Sequence, residues 1–245
     1  MIVKTEKWQG IEAPDDMHEL SYHSFKFSIP HNLNELVEEV NPNLPWADDH
    51  FNERVSGVPL NPPPSHNWWP FAQKNNEQFG GSSKFSHTYP ERIWPKFAGE
   101  KFENSLMSDH IEEPHQGIRF SYGDFKDVLD LLEREPFTRQ AFLPIWFPED
   151  TGSAHGERVP CTIGYHFMRR GNFLSVVYYI RSCDYIRHFR DDIYLACRKV
   201  MWVISEMKKR DPERWGEVVP AWFIMHISSL HCFNKEKGIL KQSRL

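Results

Sequence analysis

Long hydrophobic runs are missing from this sequence. Its most apolar stretches, Phe173 to Ile180 and Val218 to Ile227, fall well short of the roughly 20 residues that cross a bilayer. No membrane span is expected. The segment MIVKTEKWQG contains no apolar core of the kind a secretory signal carries. Cysteine is scarce, and four thiols in 245 residues are too few for a disulfide framework, so a reducing cytoplasm is the expected setting. A basic surplus is also absent: 29 Lys and Arg stand against 34 Asp and Glu, for a net charge of −5. That balance argues against a surface that grips a nucleic acid polymer or an anionic membrane, and any bound phosphate must be met by a few placed cations.

Familiar catalytic signatures are missing as well. The 13 histidines include no His-Glu-x-x-His helix, and there is no Cys-x-x-Cys pair, so no metal centre is expected. Neither a glycine-rich phosphate loop nor a Gly-x-Ser-x-Gly elbow occurs.

What is present suits one folded unit. With 40% hydrophobic and 14% aromatic residues the chain can bury a full core, and a single domain over residues 1–245 is expected, its first 45 residues polar and mixed. Leu33, Leu36, Val37 and Val40 recur at helical spacing, and a second short helix is expected from His50 to Val55. Pro59, Pro62, Pro63 and Pro64 predict an extended segment before Trp68 and Trp69. GGSSKFS, from Gly80 to Ser86, reads as a loop. Tyr122 to Glu135 reads as a helix stopped by Pro136, with Asp124 at its cap and Phe125, Val128, Leu129 and Leu132 on one face.

Ala141 to Phe147 reads as a buried strand, and Thr162 to Arg181 as a hairpin turning at Arg170, Gly171 and Asn172. A turn centred on Gly171 places Cys161 opposite Arg181 at the open end. A helix is expected after Asp191 and Asp192, running through Ile193, Cys197, Val200, Met201, Ile204 and Met207 to a solvated basic end at Lys208, Lys209 and Arg210. The last strand is Val218 to Ile227, with SSLHCF as the segment after it. Cys197 belongs to the core by its helical face. Cys161, beside Pro160 and facing Arg181, is the candidate nucleophile, because a nearby guanidinium favours thiolate over thiol.

VPCTIGYHF, followed twenty residues after Cys161 by RSCD (Arg181 to Asp184), resembles the nucleophile and phosphate-binding signature of the thymidylate synthase superfamily. SSLHCF, with His231, resembles that family's Gly-x-x-His-x-Tyr segment. FTRQAFLPIWFPED resembles the strand whose arginine, here Arg139, each subunit lends to its neighbour's site. Glu53 in HFNERVSG resembles the family's catalytic glutamate. The similarity is specific from about Phe137 to Phe233, weaker from Phe51 to Trp94 and absent before residue 45.

The resemblance implies an α/β (α+β) fold, with a mixed, largely antiparallel sheet flanked by helices, and a homodimer. It implies that Cys161 adds to carbon 6 of a pyrimidine nucleotide while 5,10-methylenetetrahydrofolate provides one carbon at carbon 5. Arg181, Ser182 and the partner copy's arginine, equivalent to Arg139, would hold the 5′-phosphate. Glu53 would order a water, His231 would hold the sugar, Asp184 would serve substrate and folate, and Trp69 with the tail GILKQSRL would close the folate site. Lys26 is a candidate for the family's amino-terminal phosphate ligand.

Position 192 selects the base. Thymidylate synthases carry asparagine there, matching uracil, whereas Asp192 accepts the exocyclic amine of cytosine and marks the deoxycytidylate (dCMP) hydroxymethylase branch. Alternatively, Asp192 only caps its helix, a role equally open to Asp191. Thr162, Ile180, Gln140 and Phe233 depart from the usual thymidylate synthase pattern. The expected reaction is 5-hydroxymethylation of dCMP, which suits a bacteriophage that modifies its DNA precursors in a host cytoplasm. Reductive methylation of dCMP or of a uracil nucleotide is the enzymatic alternative. A catalytically silent nucleotide-binding protein is the alternative of another class.

Overall fold

The computed structural model describes residues 2–8, 11–71, 85, 87–95, 123–151, 159–233, 236 and 238. Tyr122, the GGSSKFS loop except Phe85, and the carboxy-terminal tail except Gly238 lie outside the described residues.

Six strands form one sheet in the order β1-β2-β6-β5-β4-β3: β1 is Ile2–Trp8, β2 Ile11–Ser28, β3 Phe142–Pro144, β4 Thr162–Arg170, β5 Phe173–Asp184 and β6 Val219–Phe233. Every neighbouring pair is antiparallel except β5 with β6. A parallel pair needs a long crossover, here supplied by the 22-residue helix Phe189–Arg210. The sheet is therefore mixed and largely antiparallel, as expected.

Helices α1 (Leu33–Val40), α2 (Trp46–Val55), α3 (Tyr89–Ile93), α4 (Phe125–Arg134), α5 (Pro148–Thr151), α6 (Phe189–Arg210) and α7 (Pro212–Trp215) accompany it. Residues alternate along β6: Phe223, Met225 and Ile227 are buried in the core, while Trp222, His226 and Ser228 are exposed. The core joins this inner face to Leu36 of α1, the expected apolar face of α4, and Ile193, Cys197, Val200, Ile204 and Met207 of α6.

Several expectations are corrected. The polar segment before residue 45 contains β1 and the whole of a central strand, because β2 pairs along β6 from Met17↔Phe233 to Ser28↔Trp222. Its alternating side chains are exposed at Tyr22, Ser24, Lys26 and Ser28, so half of the strand is legitimately polar. Helix α2 starts four residues before His50, and the proline segment ends in a short 3-10 turn, Pro64–Trp68. The strand expected over Ala141–Phe147 is only Phe142–Pro144. SSLHCF continues β6 to Phe233, since backbone pairing with β2 and β5 on both sides extends it. The basic end of α6 is not wholly solvated, because Arg210 bonds Asp130 and Glu133 of α4 at 2.8 and 3.2 Å.

The hairpin forms with a register one step from that expected. Pairing runs from Arg170↔Phe173 to Gly164↔Tyr179, and an irregularity at Ile163 restores Thr162↔Ile180 at the open end. Gly171, at φ +57°, opens the two-residue turn. Gly164 permits a close approach: a Cβ there would lie 2.5 Å from the Phe142 ring and 2.7 Å from the Leu143 carbonyl.

Candidate active site

Cys161 directly precedes β4, and its carbonyl accepts a 2.9 Å bond from the Arg181 N–H. The hairpin therefore delivers Cys161 to the end of β5 that carries Ser182 and Asp184. β6 runs parallel beside β5 and pairs His231 with Asp184, while the first turn of α6 brings Asp192. These residues face Arg54 and His50 of α2, and Tyr89 of α3, across a cleft of about 290 Å³. All four cysteines are thiols and not disulfides.

Two adjacent aspartates of α6 do different work. Asp191 accepts from the backbone and side-chain nitrogens of Asn43 at 2.8 and 2.7 Å, pinning the segment between α1 and α2. Asp192 lines the cleft and accepts from the Cys183 thiol at 3.6 Å. His188 is the residue at the helix cap, without a side-chain capping bond. Burial pushes the Asp192 carboxyl up to about 6, against the opposing pull of the Arg54 charge. Lys199, wholly buried two turns along the same helix, lies over the Tyr165 ring at 4.5 Å, and burial holds its amine well below its ordinary range.

Glu53 sits in a network whose protons can be assigned. Arg54 donates from Nε and Nη2 to His50 Nε2 at 3.1 and 2.9 Å. A guanidinium has no acceptor, so Nε2 must be bare and the His50 proton must reside on Nδ1. That Nδ1–H faces Glu53 Oε2 at 3.2 Å and Ser65 Oγ at 3.1 Å. Ser65 donates its backbone N–H and its hydroxyl to Glu53. Burial alone would raise the Glu53 carboxyl, but the bonds from His50 and Ser65 outweigh it and hold the group below its usual value.

Asp184 accepts backbone N–H bonds from Ile186 and Arg187, shaping the turn between β5 and α6. Burial pushes its carboxyl upward. Behind Tyr89, in the buried layer, Thr162 Oγ1 donates to the Tyr89 hydroxyl at 3.1 Å and meets the Tyr178 hydroxyl at 2.9 Å. An aromatic wall completes the mouth. Trp69 stacks on His188 at 4.9 Å and meets the Phe71 ring edge at 5.8 Å.

Of the residues expected from the sequence, Cys161, Ser182, Asp184, Asp192, His231 and Trp69 line this one cleft. Glu53 adjoins it through His50 and Ser65. The two arginines expected at the phosphate are not among its lining residues. Arg139 is exposed, and the Arg181 side chain donates to the Pro160 and Val159 carbonyls at 2.9 and 3.1 Å, holding the loop that carries Cys161. Lys26 lies on the open sheet face, 3.9 Å above the Trp222 ring. Among the described residues, Arg54 and Arg187 are the arginines that line the cleft, the latter paired with Glu236 at 2.8 Å.

Sequence reading missed Arg54, His50, Ser65, Tyr89 and Arg187. The one available signal was the i, i+3, i+4 spacing of His50, Glu53 and Arg54, which sets them on one helix face. Among the described residues no group of three or more His, Cys, Asp or Glu could hold a metal ion, and no helix is long and apolar enough to cross a membrane. No protein-family model matches the chain, and no curated protein matches it.

Proposed function

We propose that this protein is a folate-dependent one-carbon transferase that converts dCMP to 5-hydroxymethyl-dCMP. The observation that carries this reading is the convergence of the half-buried Asp192 carboxylate with Cys161, Ser182 and His231 on one cleft. A carboxylate acceptor lining the cleft suits the exocyclic amine of cytosine. The Cys161 thiolate adds to carbon 6, forming the S–C6 bond and sending an electron pair toward carbon 5 and ring nitrogen 3. Ser182 offers a hydroxyl to the phosphate, and His231 offers a ring nitrogen to the sugar. Glu53, held ionised, orients a water and accepts a proton near the base. Expulsion of the thiolate restores the ring.

The residues of the mouth fit a folate. Trp69 presents a flat stacked face, and its indole N–H is buried without a hydrogen-bond partner among the described residues. 5,10-Methylenetetrahydrofolate, when bound, supplies the one-carbon unit to carbon 5. A second copy of the chain completes the phosphate site: Arg139 is exposed and lies outside its own cleft, which suits a residue lent across a homodimer.

The test incubates the protein with dCMP or dUMP and methylenetetrahydrofolate, follows release of the carbon-5 proton, and weighs the product. A hydroxymethyl product without dihydrofolate absorbance is expected. A methyl product with dihydrofolate assigns reductive methylation instead. No proton release from any pyrimidine nucleotide, with Cys161→Ser behaving like the parent, overturns both and leaves a silent nucleotide-binding protein.

A further inference from the structure

Arg54 is the least expected group in the cleft. Its side chain is 3% exposed, yet it lines the cavity beside Asp192. The Nε and Nη2 edge of the guanidinium is spent on His50, and the Tyr89 ring covers the Cζ atom at 4.1 Å. Nη1 is buried and has no hydrogen-bond partner among the described residues. A buried cationic donor left unmade is costly. Arg54 of α2, with this unspent donor, and Asp192 of α6 therefore line the same cavity.

We infer that Arg54 reads the substrate base, donating from Nη1 to ring nitrogen 3 of cytosine while Asp192 accepts from the neighbouring exocyclic amine. The inference rests on the pyrimidine nucleotide reading above and deepens it. The adjacent edge atoms of cytosine are an acceptor, nitrogen 3, and a donor, the amine, so the Arg54 and Asp192 pair matches them with both side chains in their charged forms. The same contact serves the chemistry. When the Cys161 sulfur bonds to carbon 6, the displaced electron pair is delocalised onto nitrogen 3, where a fixed cation stabilises it without a proton from Asp192. His50 holds the guanidinium in place, so the donor is preorganised.

The test compares binding of dCMP and 3-deaza-dCMP, in which nitrogen 3 is replaced by a carbon that accepts no hydrogen bond. The full-length parent is expected to bind dCMP roughly tenfold or more tightly than the deaza analogue by calorimetry. Arg54→Met is expected to lose that discrimination and bind the two alike. A purely structural role for Arg54 would weaken both ligands equally and leave their ratio unchanged, which overturns the inference. If Arg54→Met does not fold, the parent's own ratio decides, with equal affinities overturning it, and Arg54→Lys is expected to retain part of the ratio. Tighter binding of dUMP than dCMP by the parent also overturns it. Parent protein that releases the carbon-5 proton from dCMP but shows no ratio sinks this inference alone. Failure to bind any pyrimidine nucleotide sinks it together with the functional reading.

Discussion

Arg54 donates two hydrogen bonds to one nitrogen of His50, at 3.1 and 2.9 Å, and so dictates which His50 nitrogen keeps the proton. Through the imidazole, the Arg54 cation at one ring nitrogen becomes an oriented N–H facing Glu53 at the other. A neutral imidazole is required. Burial, with the Arg54 charge assisting, accordingly pushes the His50 pKa well below its ordinary 6.5.

Removing that imidazole separates its two jobs. His50→Leu leaves two Arg54 donors without an acceptor and is expected to cost about 1–3 kcal/mol of stability in denaturant unfolding. It also removes a donor that favours the Glu53 carboxylate, so the acid limb of proton release from carbon 5 should move to higher pH. His50→Gln can accept with its amide oxygen and donate with its amide nitrogen, and should restore most of both. An unmoved acid limb in His50→Leu would show that Glu53 does not depend on this bond.

Asp192 gives stability a slope against pH. Its folded pKa of about 6 exceeds its ordinary 3.8, so the folded state holds the proton more tightly than the unfolded chain. That contribution is complete below 3.8 and is lost as pH rises through about 6. His50 contributes the opposite slope, losing stability as pH falls below 6.5. In Asp192→Asn the Asp192 slope vanishes, so the thermal stability lost as pH rises from 3.8 through about 6 should be smaller than in the parent. The same substitution should shift nucleotide preference toward dUMP, measured by proton release.

Cys161 and Cys183 are separated by role. Cys161→Ser should lower proton release by on the order of a thousandfold or more while changing stability little, because the hydroxyl is a far weaker nucleophile. Cys183 is 1% exposed and gives its thiol to Asp192, and burial pushes that thiol well above its ordinary range. Cys183→Ser should therefore retain proton release within about tenfold, because a hydroxyl can replace the same bond. Equal losses in both variants would contradict the assignment of Cys161.

Gly164 and Gly171 test two separate reasons for glycine. Gly164→Ala forces a methyl against the Leu143 carbonyl and the Phe142 ring, with an expected cost of about 1–3 kcal/mol by chemical denaturation. Gly171→Ala meets nothing within 4 Å but holds φ at +57°, so its cost should be about 1 kcal/mol, from the left-handed conformation alone. A neutral Gly164→Ala would mean that β3 can withdraw from β4.

Local chemistry carries a good part of this protein. The heptad-like face of α4, its Asp124 cap, the turn at Gly171 and the apolar stripe of α6 each follow from spacing within a few residues, and the structure contains them. Even the meeting of Cys161 with Arg181 is local, because a hairpin's turn determines its open end despite the bulge at Ile163. Cys161 was legible as a candidate from its place at the hairpin mouth, whereas Ser182, Asp184, Asp192 and His231 became candidates only through the resemblance of short motifs to a known family.

Tertiary structure alone decided what those residues face. Only Ser24 to Ser28 of β2 alternates polar with apolar residues, and Met17 to His23 mixes both kinds on both faces, so the strand reads as irregular until β6 pairs with it. No spacing in the chain predicts that α2 folds over the cleft and sets Arg54 beside Asp192, 138 positions away in the sequence, or that Arg181 turns its guanidinium to its own loop. Periodicity and turn chemistry act over a few residues. The burial that frees one Arg54 nitrogen and lifts the Asp192 carboxyl is a property of the assembled core, created only when distant segments exclude water together.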